Sequence, residues 1–165
     1  MVDQSVIAVL TFLHIITAMG WLGGVAFFLS AIGPGVKAFT PPAMLEFLAK
    51  VGPKQIRFFA GTATGTIIFG VALLFAAFGT DYSSWPNYIE AGLGFGLLAY
   101  LIAIIVTIPA VRKASRIALQ MSSEPPAPPP PELPMLIRRA NMATIAVALL
   151  LILALVFMVS SAVLE

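Results

Sequence analysis

His14 is the only histidine in the chain, and it lies inside a long uncharged run from Val6 to Ile32. In a helix that begins near Val6, it would stand roughly 12 Å along the axis from the end. An ionisable group at that depth needs a partner, and it is a site hypothesis by default. Helical spacing puts Thr17, Ala18 and Trp21 on the same face as His14. Gly20 and Gly24 form a small-xxx-small pair that lets another helix come close. This face suits a bundle interior. Its plainest role is a hydrogen bond from the imidazole to a carbonyl or threonine of a neighbouring helix, and its chemical role would be ligation.

One histidine restricts the ligation chemistry. A hydrolytic zinc centre needs about three protein ligands, and the chain has no cysteine and no HxxxH or ExxH spacing. Haem iron needs only one or two axial ligands, commonly His with His or His with Met. Met158 stands at a depth in the last apolar run that matches His14 in the first. A b-type haem between His14 and Met158, or five-coordinate on His14 alone, is therefore permitted, although a methionine there is also an ordinary gap-filler. Copper at His14 is the weaker candidate, because soft copper sites use clustered sulfur and imidazole and Met19, Met142 and Met158 share no ligand spacing. Trp21 beside an imidazole suits a porphyrin pocket and simple packing equally. Arg57, at the start of another apolar run, is explained by snorkelling and is also a cation that could meet haem propionates. No Ser–His–Asp set, phosphate-binding loop or paired intramembrane carboxylate is present.

The elements that would position these residues follow from composition. The 165 residues are 60% hydrophobic and 10% charged, against about 25% charged in soluble domains. Four segments reach the roughly 20 apolar residues that a bilayer-spanning helix needs: 6–32, 58–78, 89–111 and 143–164. The expected fold is an all-α integral membrane protein, a four-transmembrane-helix bundle forming a single membrane domain. All 9 Lys and Arg residues fall between spans 1 and 2 or between spans 3 and 4. Positive residues stay cytoplasmic, so loops 33–57 and 112–142 are expected in the cytoplasm and both termini outside a cell (inner) membrane. With that sorting, the basic pI of about 9.2 reflects topology rather than nucleic-acid binding.

The connections carry their own signals. Thr40, Pro41 and Pro42, the Glu46–Lys50 pair and Gly52-Pro53 predict a short interfacial helix over 41–51 that ends at Gly52. The proline-rich stretch of linker 122–134 predicts an extended spacer, and Tyr82, Trp85 and Tyr88 predict an interfacial aromatic belt. In span 2, Gly61, Gly65 and Gly70 with Thr62, Thr64 and Thr66 predict a close packing seam whose hydroxyls could line a pocket. Pro34-Gly-Val-Lys matches Pro109-Ala-Val-Arg, and Ile56-Arg57 matches Ile137-Arg138, which points to two repeated helical hairpins.

The string Leu13-His14-Ile-Ile-Thr-Ala-Met-Gly-Trp21-Leu-Gly23-Gly24 resembles the first helix of the copper-resistance-D-like membrane proteins, a family related to HemJ. Arg57-Phe-Phe-Ala and Gly70-Val-Ala-Leu-Leu are similar to their second helix, whereas spans 3 and 4 match only in hydropathy. Before span 2 this chain has Gln55-Ile56-Arg57 in place of the acidic-basic Met-Glu-Arg-type stretch of the HemJ pattern. The resemblance implies a bundle of four or more helices, haem, and in the HemJ branch oxidation of protoporphyrinogen with the histidine that His14 matches. The leading expectation is a redox-accessory membrane protein holding haem b on His14. Its partners would be the lipid bilayer and either other membrane subunits or further copies of itself. The rival expectations are a porphyrin-oxidising enzyme, a copper-handling membrane protein, and a structural subunit without cofactor.

Overall fold

Backbone amides in hydrocarbon have no water to bond, so a spanning segment must satisfy them internally, as helix. The structure, a computed structural model describing residues 3–123 and 128–160, has four helices long and apolar enough to cross a membrane: Gln4–Val36, Pro41–Phe78, Asn87–Ser122 and Glu132–Ser160. They are called helices 1 to 4. The protein is an all-α, multi-pass membrane bundle. Helix 1 shows the outward consequence: Val9, Phe12, Ile16 and Met19, spaced along one face, are 52–67% exposed and form a surface for lipid.

Helices 1 and 2 pair extensively, as do helices 3 and 4, and the halves of helices 2 and 3 that carry the basic residues pack on each other. The shared core is Trp21, Val25, Ala63, Ala99, Val147 and Leu151. The start of helix 1 lies against the end of helix 2, where His14 meets Gly70. Likewise the start of helix 3 lies against the end of helix 4, where Gly92 meets Met158. One end of the bundle thus holds the Asp81 loop and the ends of helices 1 and 4, and the other holds every Lys and Arg.

The helices are longer than their apolar cores, and this corrects two boundaries, the stop at Gly52-Pro53 and the end of the linker at 134, since helix 4 already begins at Glu132. The expected stop at Gly52-Pro53 does not occur. Helix 2 runs from Pro41 through Pro53 to Phe78, because Gly52 is buried against Ser115 and Val111 of helix 3 and tertiary packing holds the turn that proline weakens. Thr40 occupies the N-cap position without a side-chain bond; Pro42, at the second helical position, has no N–H to offer it. Helix 3 continues past Pro109 to Ser122. The Glu46–Lys50 pair forms at 2.6 Å. The central part of the proline-rich linker and the end of the fourth span after Ser160 lie outside the described residues.

Proline also accounts for two π-helical turns. Gly33 N–H donates to Phe28 O, and Ile108 N–H donates to Ala103 O, each bond reaching one residue further than an α-helical one. The turns Phe28–Ile32 and Ala103–Thr107 precede Pro34 and Pro109, whose missing N–H breaks the α ladder. Ala103 and Pro109 each lie 75 residues beyond their counterparts Phe28 and Pro34. The repeat seen in four residues is thus carried by backbone geometry as well.

The loop after helix 2 is fixed locally. Gly79 turns the chain at φ 74°, a conformation side chains disfavour. The Asp81 carboxylate accepts from the Ser83 amide and hydroxyl, which holds its pKa below the ordinary carboxylate range. Trp85 packs against Tyr82 with ring centroids 4.7 Å apart and the planes tilted by 59°.

The seam between helices 1 and 2 uses some of the expected glycines. A Cβ on Gly65 would fall 2.9 Å from Thr17 Cγ2, and one on Gly70 would fall 2.8 Å from His14 Cε1. Gly61 is different. It is exposed and has nothing within 4 Å of its Cβ position, so its expected place in the seam is corrected: it stands one turn before Gly65, where no other helix reaches it. Gly65→Leu should therefore lower the detergent-denaturation midpoint of the bundle, by about 1–3 kcal/mol of overpacking, while Gly61→Leu leaves it within error. Equal effects at the two positions would show that the seam is placed wrongly.

Candidate functional site

The site is built where helices 1 and 2 cross. On helix 1, Gly20 lets Thr62 approach, and Gly24 lets Phe58 and Phe59 approach. On helix 2, Gly65 receives Thr17 and Gly70 receives the His14 ring. Each glycine leaves a gap that one or two side chains of the opposite helix fill. His14 can therefore reach across and bond directly to the partner backbone.

His14 Nδ1 lies 3.0 Å from the carbonyl oxygen of Thr66. A carbonyl only accepts, so Nδ1 carries the hydrogen and the neutral imidazole keeps its lone pair on Nε2. Gly70 holds the ring in place from beneath: a Cβ there would be 2.9 Å from Nδ1. The Thr66 hydroxyl is used elsewhere, donating to Thr62 O at 2.8 Å. Thr17 likewise donates to Leu13 O and His14 O.

His14, Thr66 and Gly70 line a cavity of about 580 Å³ at the Asp81 end of the bundle. That is the size of an ordinary small-molecule or cofactor site, about 300–1,000 Å³. The remaining wall is almost wholly apolar, and it includes Trp21, Ile67, Leu151 and Met158. Trp21, 2% exposed, is also the one residue of this wall that lines a second cavity nearer the basic end. Its ring meets Tyr100 edge-on at 6.5 Å and 88°, and the Tyr100 hydroxyl lies 3.2 Å from Thr64 Oγ1.

The structure thus brings His14, Trp21 and Met158 to one cavity. Met158 leans over Gly92, where a Cβ would fall 2.8 Å from its Cγ. Arg57 is not among the lining residues; it is exposed and 13 residues from Gly70 on helix 2, about 20 Å along the axis. The cavity wall contains no Lys or Arg for a propionate. No group of three or more His, Cys, Asp or Glu side chains that could share a metal occurs among the described residues. The expected bond from His14 to a carbonyl of a neighbouring helix is present; what sequence reasoning missed is Tyr100 and the identity of the acceptor, Thr66. The first carries a signal, a phenol in the middle of an apolar run. The second has none, because its acceptor is a backbone atom.

An imidazole with its Nδ1–H committed to a backbone carbonyl is the arrangement that orients Nε2 as a metal ligand. Together with the apolar wall, it fits the iron and macrocycle of haem, though not its propionates. No protein-family model matches the chain, and no similar curated protein or solved structure is found.

Proposed function

We propose that this chain is a membrane-embedded redox-accessory subunit that binds a b-type haem in the cavity at the Asp81 end, through Nε2 of His14. The observation that carries this reading is the His14 Nδ1–Thr66 O bond at 3.0 Å, which sets the tautomer a ligand needs. Haem would supply one-electron chemistry when bound. The chain's own residues would do the rest: Thr66 and Gly70 would orient the imidazole, Trp21 would close the floor, and Met158, on the same wall, would help to hold the group. The apolar lining, including Ile67, Leu93 and Leu151, would pack against the bound group. Arg57 has no part in this version of the site.

Purified protein is expected to show a Soret band that His14→Ala abolishes or weakens strongly, because no second histidine can substitute. Gly70→Ala should shift or weaken the band by displacing the ring, and Met158→Leu should alter the spectrum if its sulfur is the second ligand. A haem spectrum unchanged in His14→Ala removes the proposed ligand. Bound copper without haem would favour the copper-handling alternative, and the absence of both would favour a structural subunit.

The same reading includes a direction. The collection of all 9 Lys and Arg at one end supports a cytoplasmic basic end and an external Asp81 loop. The chain lacks cysteine, so single substitutions report cleanly. In intact cells an impermeant thiol reagent should label Ser83→Cys and leave Pro129→Cys unlabelled; the opposite pattern would reverse the topology.

A further inference from the structure

Most of the wall of the cavity beside His14 is turned away from lipid, but one edge is not. Ile15 and Met19 of helix 1 and Leu155 and Val159 of helix 4 line the cavity and are nevertheless 48–67% exposed. In each helix the two residues are four apart, so they stand one above the other and form a rail. Helices 1 and 4 touch far less than helices 1 and 2 do. The cavity therefore opens sideways, through a slot between helices 1 and 4.

The slot lies at hydrocarbon depth. Met19 is 13 residues beyond Val6, where the apolar run begins, and so stands about 20 Å along the axis in a core about 30 Å thick. Behind the slot the floor is open. Gly96 is buried, yet a Cβ there would meet only Ile67 Cδ1, at 4.0 Å. Gly92, one turn earlier on the same helix, has Met158 pressed against it instead. Water is poorly served in such a space. His14, Thr66 and the Trp21 indole are the polar side chains of the lining, the Thr66 hydroxyl and His14 Nδ1 are already engaged, and a buried water needs about two to four polar partners. An unfilled apolar void forfeits dispersion contacts along its whole lining. The hydrocarbon at its mouth can restore them.

We propose that this cavity is a lipid site: in the haem-free protein, an acyl chain of a phospholipid in the leaflet at the Asp81 end enters between the two rails and reaches the floor at Gly96 and Trp21. A helix from a second copy of the chain would cover the rails from outside and leave that floor empty. The acyl chain needs neither iron nor the His14 lone pair, so the site goes beyond the function proposed above.

Trp21 makes the occupant directly observable. The chain has 2 tryptophans, and Trp85→Phe leaves Trp21, on the cavity wall, as the only indole. The haem-free full chain is placed in phosphatidylcholine vesicles brominated towards the ends of the acyl chains. Trp21 fluorescence should be quenched well below its level in unbrominated vesicles, although the residue is only 2% exposed. Leu155→Phe at the mouth and Gly96→Leu at the floor should each lose most of that quenching, with unshifted emission maxima showing the bundle intact. Ile16→Phe, on the lipid face outside the slot, should keep it. Absence of quenching in the parent, or quenching undiminished in either Leu155→Phe or Gly96→Leu, would overturn the proposal. So would quenching that disappears as the protein-to-lipid ratio is raised, because a second copy would then hold the slot. The fluorescence is read without haem, so a missing Soret band would remove the function proposed above and leave this result untouched.

Discussion

The fold and the site depend on one close approach, the crossing of helices 1 and 2 over glycine. Between lipid-soluble helices there is no hydrophobic drive to association, since hydrocarbon surrounds them already; packing and polar contacts must hold them. Gly20, Gly24, Gly65 and Gly70 remove the side chains that would keep the backbones apart. Only then can the His14 imidazole reach the Thr66 carbonyl. That bond fixes the helix register, the tautomer and the direction of Nε2 at once. Its cost of burial is offset because the imidazole donor finds its acceptor inside the bundle.

The two wide turns show how the bundle tolerates proline in the membrane. Each reroutes an amide to a carbonyl five residues back, so the ladder resumes beyond Pro34 and Pro109. The two turns have nevertheless diverged in use. In helix 1 the turn Phe28–Ile32 contains a serine, Ser30, whose hydroxyl bonds back to Ala26 O. In helix 3 the turn ends on Thr107, whose hydroxyl is buried without a partner among the described residues. The same backbone device has its hydroxyl bonded in one half and not in the other.

Much of the architecture was legible because it depends on amounts. Four apolar runs, long enough and almost free of charge, leave few alternatives to four spanning helices, and the repeat of Pro34 and Pro109 was visible as residues. The face of His14 was legible too, since Ala18 and Trp21 line its cavity as helical spacing requires. What was hidden depends on tertiary contact. Nothing in Gly52-Pro53 says that Ser115 will support the helix through it. Gly61 and Gly65 look alike in sequence, yet one faces open space and the other Thr17. Arg57 shares a helix with the His14 seat and lies several turns from it.

The pairing pattern also bears on how the chain is made. Helices 1 and 2 are adjacent in sequence and are each other's main partner in this half, and helices 3 and 4 repeat the relation. Each hairpin can therefore close as soon as its second helix leaves the ribosome, without waiting for distant sequence. The His14 bond belongs wholly to the first hairpin, so it can form while the second is still being synthesised. The large cavity then takes shape only when residues such as Leu93 and Met158 arrive from the second hairpin. Biosynthetic order thus separates two events, the orientation of the imidazole first and the enclosure around it later.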